Sequence, residues 1–328
     1  MEIFLRSLLV LFLFTLFLYW VGPRPPKPVF DNRLKPIEAN LHSLEPYIRE
    51  KEEGLPIKPE NESKIIWDND SLKEKTRYCL LYLHGFSASA YEGFPTHLNW
   101  ARHFGANLYL PRLAAHGLDD AEPLLDMTPD RLYESAKEAL QVARLLGEKV
   151  IIMSTSTGGT LSLKLAAEFP EMVDGLLLMS PNVKINNALA FLLSKPWGLQ
   201  IARKTFGGKY RYINENPEDP ECDYWNCYYR LEATVYLQQL VEATMTNKLF
   251  RKVKIPVFLG YYYQDKNHQD EVVRVDAMLD MFDKLGTPDS LKRKQAFHAG
   301  VHVIGCEMFS KTQAEVEKAM VEFAENYF

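Results

Sequence analysis

From about residue 62 onward, short apolar runs of strand length alternate with stretches of helical periodicity. Lys64–Trp67, Arg77–Leu83 and Leu108–Leu110 read as strands. Thr128–Gly147 reads as an amphipathic helix, with Thr128 as N-cap, Pro129 in the first turn and Gly147 at its end. Lys149–Met153 is a buried-type strand, Thr157–Phe169 a helix stopped by Pro170, and Val173–Met179 another apolar strand. The rhythm breaks between Asn182 and Lys254. It resumes with Pro256–Tyr262 as strand, Val273–Gly286 as helix, Leu291–Phe297 as strand and Ser310–Tyr327 as a closing helix. Alternation of this kind is the signature of a mostly parallel sheet flanked by helices, so the expected class is α/β. The 328 residues suffice for one large domain carrying an insertion, or for two smaller domains.

The residues before that region are of another kind. Ile3 to Val21 is apolar apart from Arg6, and as a helix would span about 28 Å, close to a bilayer core. Two readings compete, a cleaved signal peptide and an uncleaved signal anchor. The run ends in Leu18, Tyr19, Trp20 and Val21, without the small residues a cleavage site requires. Tyr19 and Trp20 suit a membrane interface, so the anchor is favoured for residues 1–22. An amino-terminal signal of this kind leaves the following domain outside the cytoplasm. Residues 23–61 form a tether and linker. Their first part, PRPPKPVFDNRLKP, is proline-rich and expected to be extended and semi-rigid, and a short helix fits near Ile37–Glu52.

The formal net charge of −5 comes with no basic stripe, which argues against a nucleic-acid partner. Cys79, Cys222, Cys227 and Cys306 make neither a disulfide scaffold nor a zinc set, although Cys222 and Cys227 are spaced for one local bridge.

The chemistry concentrates at Met153-Ser154-Thr155-Ser156-Thr157-Gly158-Gly159, where a buried strand passes into a helix. A nucleophile elbow reads G-x-S-x-G. Here Ser154 stands at the first glycine position and Gly158 at the second. The turn strains the backbone of Ser156, and neighbours two residues away must be small. The helix N-terminus beyond it offers unpaired N–H groups to a developing negative charge. Upstream, the strand Arg77–Leu83 ends at His84-Gly85-Phe86. An oxyanion hole in such a fold takes one N–H from the residue after the nucleophile and one from this early loop. Those donors are the backbone N–H groups of Thr157 and Phe86.

His84-Gly85-Phe86, the Pro111–Gly117 segment PRLAAHG, the serine elbow with its double glycine and a histidine near the C-terminus together resemble the α/β-hydrolase superfamily. The nearest likeness is to its branch of monoacylglycerol lipases, lysophospholipases and serine aminopeptidase-like hydrolases, over residues 62–328. The resemblance implies the chain order nucleophile, acid, histidine. The histidine lies after the last strand, which leaves His298 and His302; the Val-Ile-Gly context after His302 favours it. The acid follows the strand Pro256–Tyr262. Asp265 is nearest the strand end, but Asp270 opens Asp-Glu-Val-Val and is preferred, the residues before it being a local insertion. The catalytic set expected is Ser156, Asp270 and His302, with no metal or organic cofactor.

The resemblance also places a mainly helical cap at about residues 182–254. The ten aromatics between Phe191 and Tyr236 are expected mostly to form the cap's own core, some lining an apolar pocket over Ser156. Arg230–Leu240 is helical and is a candidate to cross the site mouth. The expected substrate is a small acyl ester or a lipid-like molecule. A peptidase or amidase on the same residues would draw on Glu215, Glu218, Asp219, Glu221 and Asp223 to bind a free amine. A third reading is a tethered, non-catalytic binding protein.

Overall fold

The computed structural model of the chain describes residues 1–216 and 218–328. An exposed helix α1 (Glu2–Val21) precedes an irregular stretch, a 3₁₀ turn at Leu41–Ser43 and helix α2 (Leu44–Glu52). The α/β body then runs β1 (Lys64–Ile66), β2 (Thr76–Leu83), α3 (Thr96–His103), β3 (Asn107–Leu110), α4 (Pro129–Leu146), β4 (Gly147–Thr155), α5 (Thr157–Glu168) and β5 (Gly175–Met179). An insertion follows: a 3₁₀ turn at Ala190–Ser194, α6 (Gly198–Thr205), β6 (Tyr210–Tyr212), α7 (Glu221–Tyr224), β7 (Tyr228–Arg230), α8 (Leu231–Thr244) and α9 (Asn247–Phe250). The body closes with β8 (Val257–Tyr262), α10 (Val275–Lys284), β9 (Lys292–Phe297) and α11 (Gln313–Tyr327).

Seven strands form one sheet in the order β1-β3-β2-β4-β5-β8-β9, parallel except for β1, which pairs antiparallel with β3 at the edge. The inner strands read as unbroken apolar runs because both faces are covered. One apolar layer joins the sheet to α4, α5 and α10; a second joins it to α3 and α11 through Trp100, Met320 and Phe323. Leu83 lies opposite Ser154, and Thr155 opposite Met179, so the carboxyl ends of the central strands share one rim. Open parallel sheets place their sites there.

The periodic elements fall where the sequence puts them, within a few residues. Thr128 caps α4 by accepting from the Arg131 N–H, with Pro129 at the first helical position. Helix α3 is the element the sequence reading lacks. It has only eight residues, and its buried face mixes Thr96 and His97 with Trp100 and Ala101, which blurs the apolar period. The expected linker helix is confined to α2, whose Leu44 and Ile48 enter the core.

The proline-rich stretch is extended but not free. Pro23 O accepts from Trp197 N at 3.0 Å, and Pro26 O from Gln239 Nε2 at 2.6 Å. Val29 N donates to Asp130 Oδ1 at 2.7 Å, and Lys137 Nζ donates to the carbonyls of Asp31 and Arg33. The tether is thus laid along α8 and α4. Helix α1 buries no residue of its own and is long and apolar enough to cross a membrane. It meets the body at its last turn, where Trp197 Nε1 donates to Leu18 O at 2.9 Å. Trp197 packs so closely on Gly22 that a Cβ there would lie 2.1 Å from the indole nitrogen.

The insertion is mainly helical, with a two-stranded antiparallel ribbon of β6 and β7 and a disulfide between Cys222 and Cys227. Its aromatics divide differently from expectation. Trp225 and Tyr229 are buried, but Phe191, Trp197, Phe206, Tyr212 and Tyr228 are exposed. Helix α6 buries only Gly198 and Ala202, and Tyr212 and Tyr228 stack on each other on the outside of the β6–β7 ribbon, so these rings stay at the surface.

Candidate active site

Ser156 sits between β4 and α5 with φ 52° and ψ −116°, a conformation that costs an L-residue energy and persists because the surroundings fix it. Its N–H donates to Met179 O at 3.0 Å, and its carbonyl accepts from Gly159 N and Asn182 N. The two small positions of the elbow are not equivalent. A Cβ at Gly158 would lie 1.9 Å from the Leu83 carbonyl oxygen, so only glycine fits. Ser154 is fully buried and accommodated, which explains why a serine can stand where the first glycine is usual.

Asp270 and His302 are brought together from two strand ends. Asp270 follows β8 and is buried. Its Oδ1 accepts from the N–H groups of Val272 and Val273 at 2.9 and 3.0 Å, and its Oδ2 lies 2.6 Å from His302 Nδ1. Burial would raise the carboxyl's pKa, but the adjoining His302 and these two N–H donors outweigh it and hold it below the ordinary 3.8. Burial likewise opposes charging of His302, and Asp270 outweighs it, so the imidazole lies above its ordinary 6.5. With Nδ1–H committed to Asp270, Nε2 carries the free lone pair; it is buried with no hydrogen-bond partner among the described residues.

Asp265 and His298 lie apart from the Asp270–His302 pair. Asp265 is exposed and binds His268 within a small hairpin, closed by pairing of Tyr263 with Gln269, that bulges out before Asp270. His298 is exposed.

The loop after β2 is fixed from both sides of Gly85. Leu113 N donates to His84 Nε2 at 3.1 Å, so the imidazole proton is on Nδ1, which donates to Gly85 O at 2.9 Å. Burial, reinforced by His116, lowers His84 to about 3 and keeps it neutral. In a trans peptide the N–H points opposite the C=O. Holding Gly85 O therefore aims the Phe86 N–H the other way. Among the described residues no acceptor takes the N–H of Phe86 or of Thr157.

On its other side, Gly85 N donates to Glu92 Oε2 at 2.5 Å. Glu92, in the 3₁₀ turn Ala90–Gly93, is a functional candidate that the sequence reading missed. Its only signal was one carboxylate in an otherwise small and apolar loop, Gly85–Pro95. A Cβ at Gly85 would meet Glu92 Oε1 at 2.7 Å and the Ser156 Cβ at 3.0 Å.

The insertion covers this loop. Asn226 N donates to Ser87 O at 2.8 Å, the Tyr229 ring meets Phe86 edge-on at 4.9 Å, and Tyr224 stacks on Tyr91 at 3.9 Å. Lys58 and Asn61 pin the same segment through the carbonyls of Cys222, Asp223 and Trp225. Helix α8 packs against α4, α5 and α6. Glu215, Glu218 and Asp223 are exposed, and Asp219 and Glu221 half-buried; none is hydrogen-bonded to the residues of the site.

Residues 78–298 match the family described as the alpha/beta hydrolase fold. The chain belongs to that family. No curated protein matches the hydrolase. Among solved structures it is similar to a chain of the metagenome-derived lipolytic enzymes LipS and LipT, at 16% identity with a TM-score of 0.65, covering 83% of this chain and 100% of that one. It is also similar to the monoacylglycerol lipase of Paleococcus ferrophilus, at 14% identity and TM-score 0.57, covering 80% and 96%. A third similar structure is the ferulic acid-bound Est1E of Butyrivibrio proteoclasticus, at 16% identity and TM-score 0.55, covering 81% and 94%. At such identities the likeness is one of fold.

Proposed function

We propose that the hydrolase is a membrane-anchored serine esterase, acting on a carboxylic ester with an apolar acyl chain. The observation that carries this reading is the Asp270–His302 pair, hydrogen-bonded at 2.6 Å with Nε2 left free, on the same sheet rim as a strained serine and two unspent N–H groups. In the reaction, Ser156 Oγ attacks the ester carbonyl as His302 Nε2 takes its proton. The Phe86 and Thr157 N–H groups hold the oxyanion. The tetrahedral species collapses, and His302 returns the proton to the leaving alcohol. Water, deprotonated by His302, then attacks the acyl-enzyme and releases the acid. No step calls for a metal or organic cofactor.

Tyr224, Trp225 and Tyr229 around the loop after β2 offer apolar surface rather than carboxylates, which supports an acyl chain over a free amine. The anchor reading for residues 1–22 is supported by Trp197 seated on Gly22 and Leu18, contacts that cleavage would remove. A tether without slack keeps the cap next to the bilayer. The disulfide of Cys222 and Cys227 fits an oxidising, extracytoplasmic compartment.

The test is labelling with a serine-directed fluorophosphonate. Native chain should label, whereas Ser156→Ala should not and His302→Ala should label at least about 10³-fold more slowly. Equal labelling of native and Ser156→Ala would sink the assignment. A series of p-nitrophenyl esters beside aminoacyl amides then decides between ester and amide.

A further inference from the structure

Glu92 lies in the heart of the site. It is buried, at 2% exposure. Oε2 accepts from Gly85 N–H and, at 3.4 Å, from the Tyr82 hydroxyl, which in turn lies 2.9 Å from Thr155 Oγ1. Among the described residues no lysine or arginine pairs with it. Oε1 faces the spot beside Gly85 that the Ser156 Cβ also borders. The titratable groups around it are few. Tyr82 comes from β2, with its hydroxyl pushed far up by burial. His97 comes from α3, packed on the Tyr82 ring at 4.9 Å and held neutral at about 4 by burial. His302 and Cys306 come from the loop after β9; the Cys306 thiol is pushed up to about 11 by burial and, to a lesser degree, by Glu92. His302 is the neighbour that can become a cation.

We propose that Glu92 is a positioning residue that must carry its proton for the site to turn over: its carboxyl anchors the Gly85 N–H beside the oxyanion donors, and as a carboxylate it would set a negative charge against the developing oxyanion. The inference rests on the acyl-transfer reading of Ser156. With Oε2 occupied by two donors, the proton resides on Oε1, on the side of the serine. Loss of that proton opposes the oxyanion in a site with little water to screen it. Its charge also favours the protonated form of His302, which cannot act as base. Burial, partly offset by the Gly85 N–H and His302, raises Glu92 to about 7, so the switch falls within the working range of pH.

The experiment is the pH dependence of fluorophosphonate labelling, which reads nucleophile and oxyanion site whether the substrate is an ester or an amide. The native full-length chain should show two limbs. The rate rises as His302 loses its proton, then falls on the alkaline side as Glu92 ionises, approaching tenfold per pH unit. Glu92→Gln keeps an acceptor for the Gly85 N–H but cannot ionise. It should label at pH 9 at least tenfold faster than native, with the acid limb moved to lower pH. Glu92→Asp retains the charge and should keep the alkaline fall. A native profile without an alkaline limb overturns the proposal even if no variant folds, as does a Glu92→Gln profile that superimposes on native. Failure of the native chain to label at any pH sinks the acyl-transfer reading itself, and this inference with it.

Discussion

At the scale of single residues, two aspartates five positions apart have opposite fates. Asp270 is buried against His302 and two backbone N–H groups; Asp265 is solvated and tied to His268. Asp270→Asn leaves an amide that cannot stabilise an imidazolium, and kcat should fall by about 10⁴-fold, whereas Asp265→Asn should leave ester hydrolysis within about twofold. A steady-state comparison of the two checks this. Glu92 adds a stability prediction. Its folded-state value, about 7, lies above the ordinary 4.5. The sign follows from proton binding: the folded state holds this proton more tightly, so stability is full below the lower value and is lost as pH rises through the upper one. Glu92→Gln should therefore be more stable than native at pH 8.5 by about 3 kcal/mol, with the gain gone at pH 4.5, as read by denaturant unfolding at the two pH values.

At the scale of elements, strand ends and turns set the chemistry. The turn at Ser156 forms because Gly158 lets α5 start against the Leu83 carbonyl, and the loop after β2 is fixed because Gly85 is gripped through both its N–H and its C=O. The tether is an element of the same sort, without regular structure but with its carbonyls satisfied. Lys137, fully buried on α4, is its clamp, also paired with Glu134 at 2.7 Å. Lys137→Ala should free the tether, so trypsin should cut after Arg33 several-fold faster than in native protein while turnover of a soluble ester is retained. Unchanged proteolysis would mean that Gln239 and Asp130 suffice to hold the segment.

At the scale of the whole molecule, the last turn of α1 and the tether lie against the cap and α4. Leu189, Phe191, Ile201 and Phe206 are at least 49% exposed, in a segment whose Lys195 and Arg203 are paired with Glu242 and Glu232 and whose Lys204 is exposed. Exposed apolar side chains beside a membrane-length helix suit insertion at a bilayer interface. The combined variant Phe191→Ser, Ile201→Ser, Phe206→Ser should hydrolyse a vesicle-embedded ester several-fold more slowly than native, with a water-soluble ester turned over at the native rate. An equal loss on both substrates would place the residues in cap folding instead. On the proposed mechanism the acid limb of turnover also belongs to this scale, since the carboxylate that raises His302 comes from a second loop that meets it only in the folded sheet.

Periodicity and turn chemistry in the sequence determined the α/β class, the strand rim, Ser156 at its elbow and the apolar first helix, because each is written in neighbouring residues. His302 and Asp270 were each legible only as the preferred of two candidates, His302 over His298 and Asp270 over Asp265, because the choice depends on which loop residues turn inward and which bulge outward. Helix α3 escaped because its buried face is partly polar. Glu92, the two-sided grip on Gly85, the Lys137 clamp and the exposure of the cap aromatics were decided by tertiary structure alone. Each joins groups distant in the chain or depends on whether a partner surface exists, and both are settled by packing rather than by local pattern.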